Sequence, residues 1–178
     1  MFFIWMICKM VKVTHDELVE AALRWLERRS SVVIAEMATQ AGEEPDAIGW
    51  HSGGVPTVVE CKANVSDFRA DSKKAWRRMP EHSLGVYRYY LSPPGVINVN
   101  SLPPKWGLIV YNPDTKKVKV IRKSEPQKRS HQAVRKEVLL LLSAMRRIGN
   151  STRSLVGVSV RPYVYSNKNR AQLGIVKE

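Results

Sequence analysis

An α/β fold is the class this chain predicts. Three observations predict it: a capped amphipathic helix near the start, a series of short β-prone runs separated by turn residues, and a second helical stripe after the last run. Thr14-His15-Asp16-Glu17 has the form of a capping box, in which the Thr14 hydroxyl accepts from the Glu17 backbone N–H and the Glu17 carboxylate reaches back to Thr14. The helix it starts runs to about Arg29, because Leu18, Ala22, Trp25 and Leu26 recur at helical spacing. Ser31–Glu36 is rich in β-branched residues and reads as a strand whose terminal Glu36 is solvated, a place facing a metal being the alternative. After the turn cluster Gln40–Pro45, Asp46–Trp50 reads as a short strand, His51-Ser52-Gly53-Gly54 as a hairpin connection, and Thr57–Lys62 as the returning strand. That returning run is apolar until its charged end, which suits a central strand covered on both faces.

Ser66 is placed to cap a helix through about Arg78. Gly85–Leu91 is aromatic and β-prone, and Pro93-Pro94-Gly95 stops it. Trp106–Tyr111 and Lys117–Ile121 flank Asn112-Pro113-Asp114, which reads as another hairpin. Ser130 opens a long helix to about Ile148, with Gly149 placed to end it. Its Val134, Val138, Leu141, Met145 and Ile148 form one stripe that suits core packing, a homodimer seam being the alternative. In the tail, Leu155–Val160 is again β-prone.

Composition narrows the partner. The 178 residues are 44% hydrophobic with only 10 Gly and 10 Pro, which excludes disordered and collagen-like classes. A chain of this length buries roughly 70% of its unfolded surface, enough for a core without staples. With no internal repeat or low-complexity linker, residues 1–178 read as a single domain: a core over about 14–123, then a basic C-terminal helix and tail over 124–178. The formal charge is +13, and its placement is uneven: residues 1–100 balance 12 basic against 12 acidic side chains, whereas 101–178 carry 17 against 4. A polyanion, nucleic acid above all, is the partner such a surface suits. The basic residues are not confined to one face of an amphipathic helix, so a membrane surface is not expected.

The apolar opening Met1–Cys8 is too short to span a bilayer, and Met10 reads as an alternative start. Cys8 and Cys61 form neither a disulfide framework nor a zinc spacing, so a reducing, cytoplasmic setting is expected.

The stretch with chemical content runs from Pro45-Asp46 to Glu60-Cys61-Lys62. Alternation along a strand sends Glu60 and Lys62 to one face and Cys61 to the other. With Asp46 at the start of the strand paired through the Gly53-Gly54 turn, its carboxylate converges on Glu60. Two carboxylates at a sheet edge are the hard oxygen ligands that Mg²⁺ or Mn²⁺ takes, with waters and a substrate phosphate completing the shell. Asp46 and Glu60 are expected as metal ligands, and the backbone carbonyl of Cys61 as the third. Phosphodiester hydrolysis needs an activated water and neutralised charge at phosphorus and the leaving oxygen. Lys62 is expected to orient or deprotonate that water, its pKa lowered beside the metal, or to hold the phosphate. Glu17, with Glu20 as the alternative, is expected to complete the site from the first helix.

Helix with acid, strand, Pro45-Asp46, hairpin, then Glu60-Cys61-Lys62 and a helix resembles the PD-(D/E)XK nuclease superfamily. The segments Val65–Asp71, Tyr89–Gly95 and Leu102–Leu108 look like a bacterial and phage branch of it linked to DNA repair. The resemblance covers roughly residues 14–123 and leaves 124–178 unmatched. It implies a restriction-endonuclease-like core, a central mixed β-sheet flanked by helices in α-β-β-β-α-β order, and metal-dependent cleavage of DNA. Asp46, Glu60 and Lys62 all stand where the motif requires them.

Phosphate contacts are expected from Lys73, Lys74, Arg77 and Arg78 on the helix after the catalytic strand, and from Lys128, Arg129, Arg135, Lys136, Arg146 and Arg147 in the basic portion. Such contacts give affinity more than base reading, so structure-selective or nonspecific cleavage is expected. The alternatives are a catalytically idle DNA-binding module on the same fold, or a basic RNA-associated protein in which Glu60 and Lys62 form a strand-end ion pair. His15, His51, His82 and His131 lack ligand spacing and read as surface or loop residues, and Trp76, Tyr87, Tyr89 and Trp106 read as core, stacking on unpaired bases being the alternative.

Overall fold

The computed structural model describes residues 13–37, 43–74, 77 and 79–151. Thr14 caps the first helix, α1 (His15–Glu27): its hydroxyl accepts from the Glu17 N–H at 3.2 Å, and its own N–H donates to Glu17 Oε2 at 2.9 Å. Leu18, Ala22, Trp25 and Leu26 face inward, as their spacing predicts.

Six strands follow: β1 (Val32–Ala35), β2 (Ala47–Trp50), β3 (Pro56–Cys61), β4 (Tyr87–Ser92), β5 (Gly107–Asn112) and β6 (Lys117–Arg122). Their order in the sheet is their order in the chain. β1, β2 and β3 pair antiparallel, β3, β4 and β5 parallel, and β6 returns antiparallel to β5, so the sheet is mixed. The β2–β3 hairpin closes through Gly54, whose φ of +73° is open to glycine at no steric cost. Between β1 and β2, Gly49 leaves room for Ser30: a Cβ there would lie 2.5 Å from the Ser30 Oγ.

α1 covers one face of the sheet, against Val33, Ala35, Ala47, Val59, Cys61, Leu91 and Ile109. Ile34, Ile48, Val58 and Leu84 on the other face meet Leu140 of the last helix, α3 (His131–Ser151). Farther along that face, Tyr90 and Leu108 pack with Ile97, Leu102 and Trp106. β3 and β4 are thus buried on both sides, as the apolar run in β3 predicts. The layering is that of an α/β protein with a restriction-endonuclease-like core.

Two helices depart from expectation. α2 (Val65–Asp71) starts two residues early and stops seven residues before Arg78. Asn64, not Ser66, is its cap, accepting from the Asp67 N–H at 2.9 Å, and the Ser66 hydroxyl itself donates to Asn64 Oδ1 at 2.5 Å. After Asp71 the chain turns, so that Arg77 comes back to the Asp71 carboxylate.

α3 is rotated relative to the expected stripe. Ala133, Glu137 and Leu140 are its buried line, while Val134, Val138 and Met145 are exposed. Glu137 sets that rotation, since its carboxylate accepts from the Gly85 N–H at 2.9 Å and from Arg129. Among the described residues no helix is long and apolar enough to cross a membrane. The expected turn at 40–42, Trp76, Arg78 and the tail strand at 155–160 lie outside the described residues.

Candidate active site

Strand register brings the expected acids together. Ala47 pairs with Val59, so one step beyond β2 Asp46 stands across from Glu60. Ala35 pairs with Ala47, and by the same step Glu36 stands across from Asp46, its N–H donating to the Asp46 carbonyl at 3.2 Å. Glu36, Asp46 and Glu60 therefore form a row over the ends of three adjacent strands. Asp46 Oδ2 accepts the Cys61 N–H at 2.7 Å, which ties the carboxylate to the neighbouring strand. The Cys61 side chain turns away into the α1 layer, and Lys62, two residues after Glu60, returns to its face with Nζ 3.1 Å from Glu60 Oε2.

The charges in this cluster perturb one another. Burial, then the facing Glu60, pushes the Asp46 carboxyl up to about 6, against the opposing pull of Lys62, the Cys61 N–H and His15. Burial alone would lower the Lys62 ammonium, but Glu60, Asp46 and Asp71 outweigh it and hold its pKa above the ordinary lysine value. Glu60 and Asp71 in contact and Asp46 nearby thus favour the ammonium form, whereas the lowering expected from the sequence is for a lysine beside a bound metal.

Beneath Glu60 lies a second group of residues whose roles the sequence reading missed. Asp71, at the end of α2, is fully buried and lies 3.2 Å from Lys62 Nζ and 3.1 Å from Lys74 Nζ. Its other oxygen accepts from Arg77 Nε and from the Tyr90 hydroxyl, each at 2.6 Å. Burial pushes the Asp71 carboxyl up, yet the Arg77 bond and charge bring it well below the usual carboxylate range. Arg77 also stands 3.5 Å from Glu60 Oε2 and lies over Trp106 at 4.3 Å and Tyr90 at 5.8 Å, while the Tyr90 and Trp106 rings stack at 4.4 Å. Nothing in the sequence singles out Asp71, whose partners come from three segments: the end of β3, the turn after α2, and β4. Tyr90 is legible only through register, as the β4 partner of Glu60.

The α1 contribution also differs. Glu17 is engaged in the Thr14 cap, and Glu20 pairs with Arg24 at 3.8 Å, so neither is brought to Asp46 by any of these contacts. His15 is there instead, with Nε2 3.6 Å from Asp46 Oδ1 and 3.7 Å from Glu36 Oε1. The sequence signal for His15 was its position at the start of the capped helix, where a side chain can reach past the sheet end.

The expected phosphate contacts divide. Lys73, Lys128 and Arg135 are exposed. Arg77 is not an outward contact but an internal one, because Asp71 and Glu60 offer it buried negative charge; Lys74 likewise leans toward Asp71. Arg129 pairs with Glu137, and Lys136 donates to the His82 carbonyl at 3.2 Å, so both help seat α3.

Among the described residues no three His, Cys, Asp or Glu side chains are clustered so as to hold a metal by themselves. Mg²⁺ needs no such cage, since it commonly binds one or two carboxylates and fills its octahedron with waters and substrate phosphates. Asp46 facing Glu60 across the strand pair fits that donor set. The raised Asp46 carboxyl fits it as well, being a buried acid with an acid opposite and too little positive charge nearby.

The family described as DNA repair protein MmcB-like matches residues 12–152. No curated protein matches. Among solved structures, the SPO1766 protein of unknown function from Silicibacter pomeroyi superimposes with a TM-score of 0.58 at 24% identity, over 76% of this chain and 88% of that one. At that identity the likeness shows a shared fold.

Proposed function

Because the chain belongs to the MmcB-like family of DNA repair proteins, we propose that it is a Mg²⁺- or Mn²⁺-dependent deoxyribonuclease of the PD-(D/E)XK kind, acting on DNA phosphodiester bonds with structure-selective or nonspecific preference. The observation that carries this reading is the juxtaposition of Asp46 and Glu60 across β2 and β3 with Lys62 Nζ 3.1 Å from Glu60 Oε2. Asp46, Glu60 and the Cys61 carbonyl would hold the ion, which when bound supplies Lewis acidity and a water of lowered pKa. Lys62, kept protonated by its neighbours, holds a phosphate oxygen or the attacking water and neutralises charge that develops there. Asp71 and Tyr90 fix the lysine and Arg77 beneath it. Lys73, Lys128 and Arg135 contact phosphates and set the duplex against the site without reading bases. The buried free thiol of Cys61, whose pKa burial raises, is inert and suits a reducing, cytoplasmic setting.

A second reading, a DNA-binding module that does not cut, is favoured by one observation: Glu60 Oε2 is already met by both Lys62 and Arg77. Purified protein with plasmid and branched DNA in Mg²⁺ or Mn²⁺ separates the two. The nuclease reading expects metal-dependent cutting that Lys62→Ala lowers by about 100-fold or more. DNA binding without any cutting by the wild type would establish the second reading in its place.

A further inference from the structure

On the face of the sheet that α1 covers, the seam between the second half of α1 and β6 holds two adjoining cavities. The larger, of about 600 Å³, has the half-buried Tyr87, Tyr89 and Val120 in its wall and the exposed Arg29, His51 and Lys123 at its edge. The smaller, of about 220 Å³, is bounded by the exposed Arg24, Arg28, Lys116 and Lys117. Trp25 lines both, which makes them two ends of one groove. No acidic side chain lines it among the described residues, and of its arginines and lysines Arg24 alone has a carboxylate partner there, the exposed Glu20 at 3.8 Å. Arg29 is fixed in place: its guanidinium lies over the Trp25 ring at 4.5 Å and its Nη1 donates to the Trp25 carbonyl at 2.9 Å. Tyr89 is braced by Trp25, ring centre to ring centre 5.2 Å, whereas Tyr87 has no aromatic partner among the described residues.

Accessible rings beside a row of cations suit one form of DNA best. An unpaired strand uses both features, its bases stacking on the rings while its backbone follows the charges. A duplex keeps its bases inside and engages the cations alone. We propose that this groove holds an unpaired strand of DNA, with a base stacked on Tyr87 and phosphates against Arg28, Arg29 and Lys123. α1 leads from His15, beside Asp46, to Arg28 in the groove, a span of about 20 Å. The strand is therefore gripped away from the carboxylates and does not compete for them. The proposal rests on the DNA reading above and deepens it, making the preferred substrate a duplex that carries an unpaired tail.

Three fluorescein-labelled DNAs test it by anisotropy without divalent metal, so that nothing is cut: a blunt duplex, the same duplex with an unpaired thymidine tail, and the same duplex with an abasic tail of equal charge. The wild type is expected to bind the thymidine tail about tenfold more tightly than the abasic one, and the blunt duplex more weakly than either. Tyr87→Leu keeps apolar bulk but removes the ring, and is expected to level the two tails while blunt-duplex affinity changes less than about twofold. Arg28→Gln combined with Lys123→Gln, both at exposed positions, is expected to reduce the slope of log affinity against log salt for the tailed duplexes by about one and a half. Equal binding of the two tails by the wild type, a preference for bases that survives in Tyr87→Leu, or a slope left unchanged by the double variant would each overturn the groove while leaving DNA binding intact. No binding of any of the three DNAs would overturn the DNA reading itself, and the groove with it.

Discussion

Asp46 faces an acid across the sheet and is mostly buried, and its carboxyl is pushed up to about 6 from an ordinary 3.8. Well below pH 3.8 it is protonated in the folded and unfolded chain alike, so it contributes no difference. Between about 3.8 and 6 the unfolded chain has given up a proton that the folded chain still holds, so stability falls over that interval and levels off above it. Asp46→Asn, whose amide oxygen can still accept the Cys61 N–H, is expected to be more stable than wild type at pH 8, by up to about 3 kcal/mol, and equal to it at about pH 3. Thermal melts at the two pH values check this, and a variant less stable at pH 8 would contradict it. Tyr90→Phe removes the hydroxyl that donates to Asp71 at 2.6 Å and is expected to cost about 1–3 kcal/mol in denaturant unfolding. An unchanged midpoint would mean that Arg77 and the two lysines hold Asp71 without it.

The elements show which parts of the molecule local pattern can foretell. The Thr14 capping box, the β2–β3 hairpin and all six strands are written in short-range signals: a hydroxyl three residues before a glutamate, a glycine pair, runs of β-branched and aromatic residues. The alternation that sends Glu60 and Lys62 to one face and Cys61 to the other is equally local, so the Asp46–Glu60–Lys62 juxtaposition was legible. The rest depends on partners distant in sequence. α2 ends at Asp71 because that carboxylate is claimed by Arg77 and by Tyr90 of β4. α3 turns Glu137 inward because Gly85, 52 residues away, needs an acceptor. Reading the helix by its apolar residues alone places Val134 and Val138 in the core, where a buried glutamate in fact sits. Asn64→Ala is expected to remove the α2 cap at a cost of about 1 kcal/mol, whereas Ser66→Ala costs less, measured by chemical denaturation. The reverse ranking would restore Ser66 as the cap.

At the scale of the whole molecule, the sheet does the positioning. Chain order equals strand order, so the hairpin that pairs β2 with β3 also sets Asp46 against Glu60, and the parallel β4 places Tyr90 beside them. The net charge of +13 predicts DNA affinity that falls steeply with salt. Lys128→Ala combined with Arg135→Ala is expected to reduce the slope of log affinity against log salt by about two. A slope equal to that of wild type would remove these two residues from the DNA surface. Whether Asp46 and Glu60 grip one divalent ion between them decides the nuclease reading, and calorimetric titration of Mn²⁺ into wild type, Asp46→Asn and Glu60→Gln measures that. Saturable binding heat in the wild type that disappears in both variants is the predicted result; the same heat in all three proteins, or none in the wild type, would contradict it.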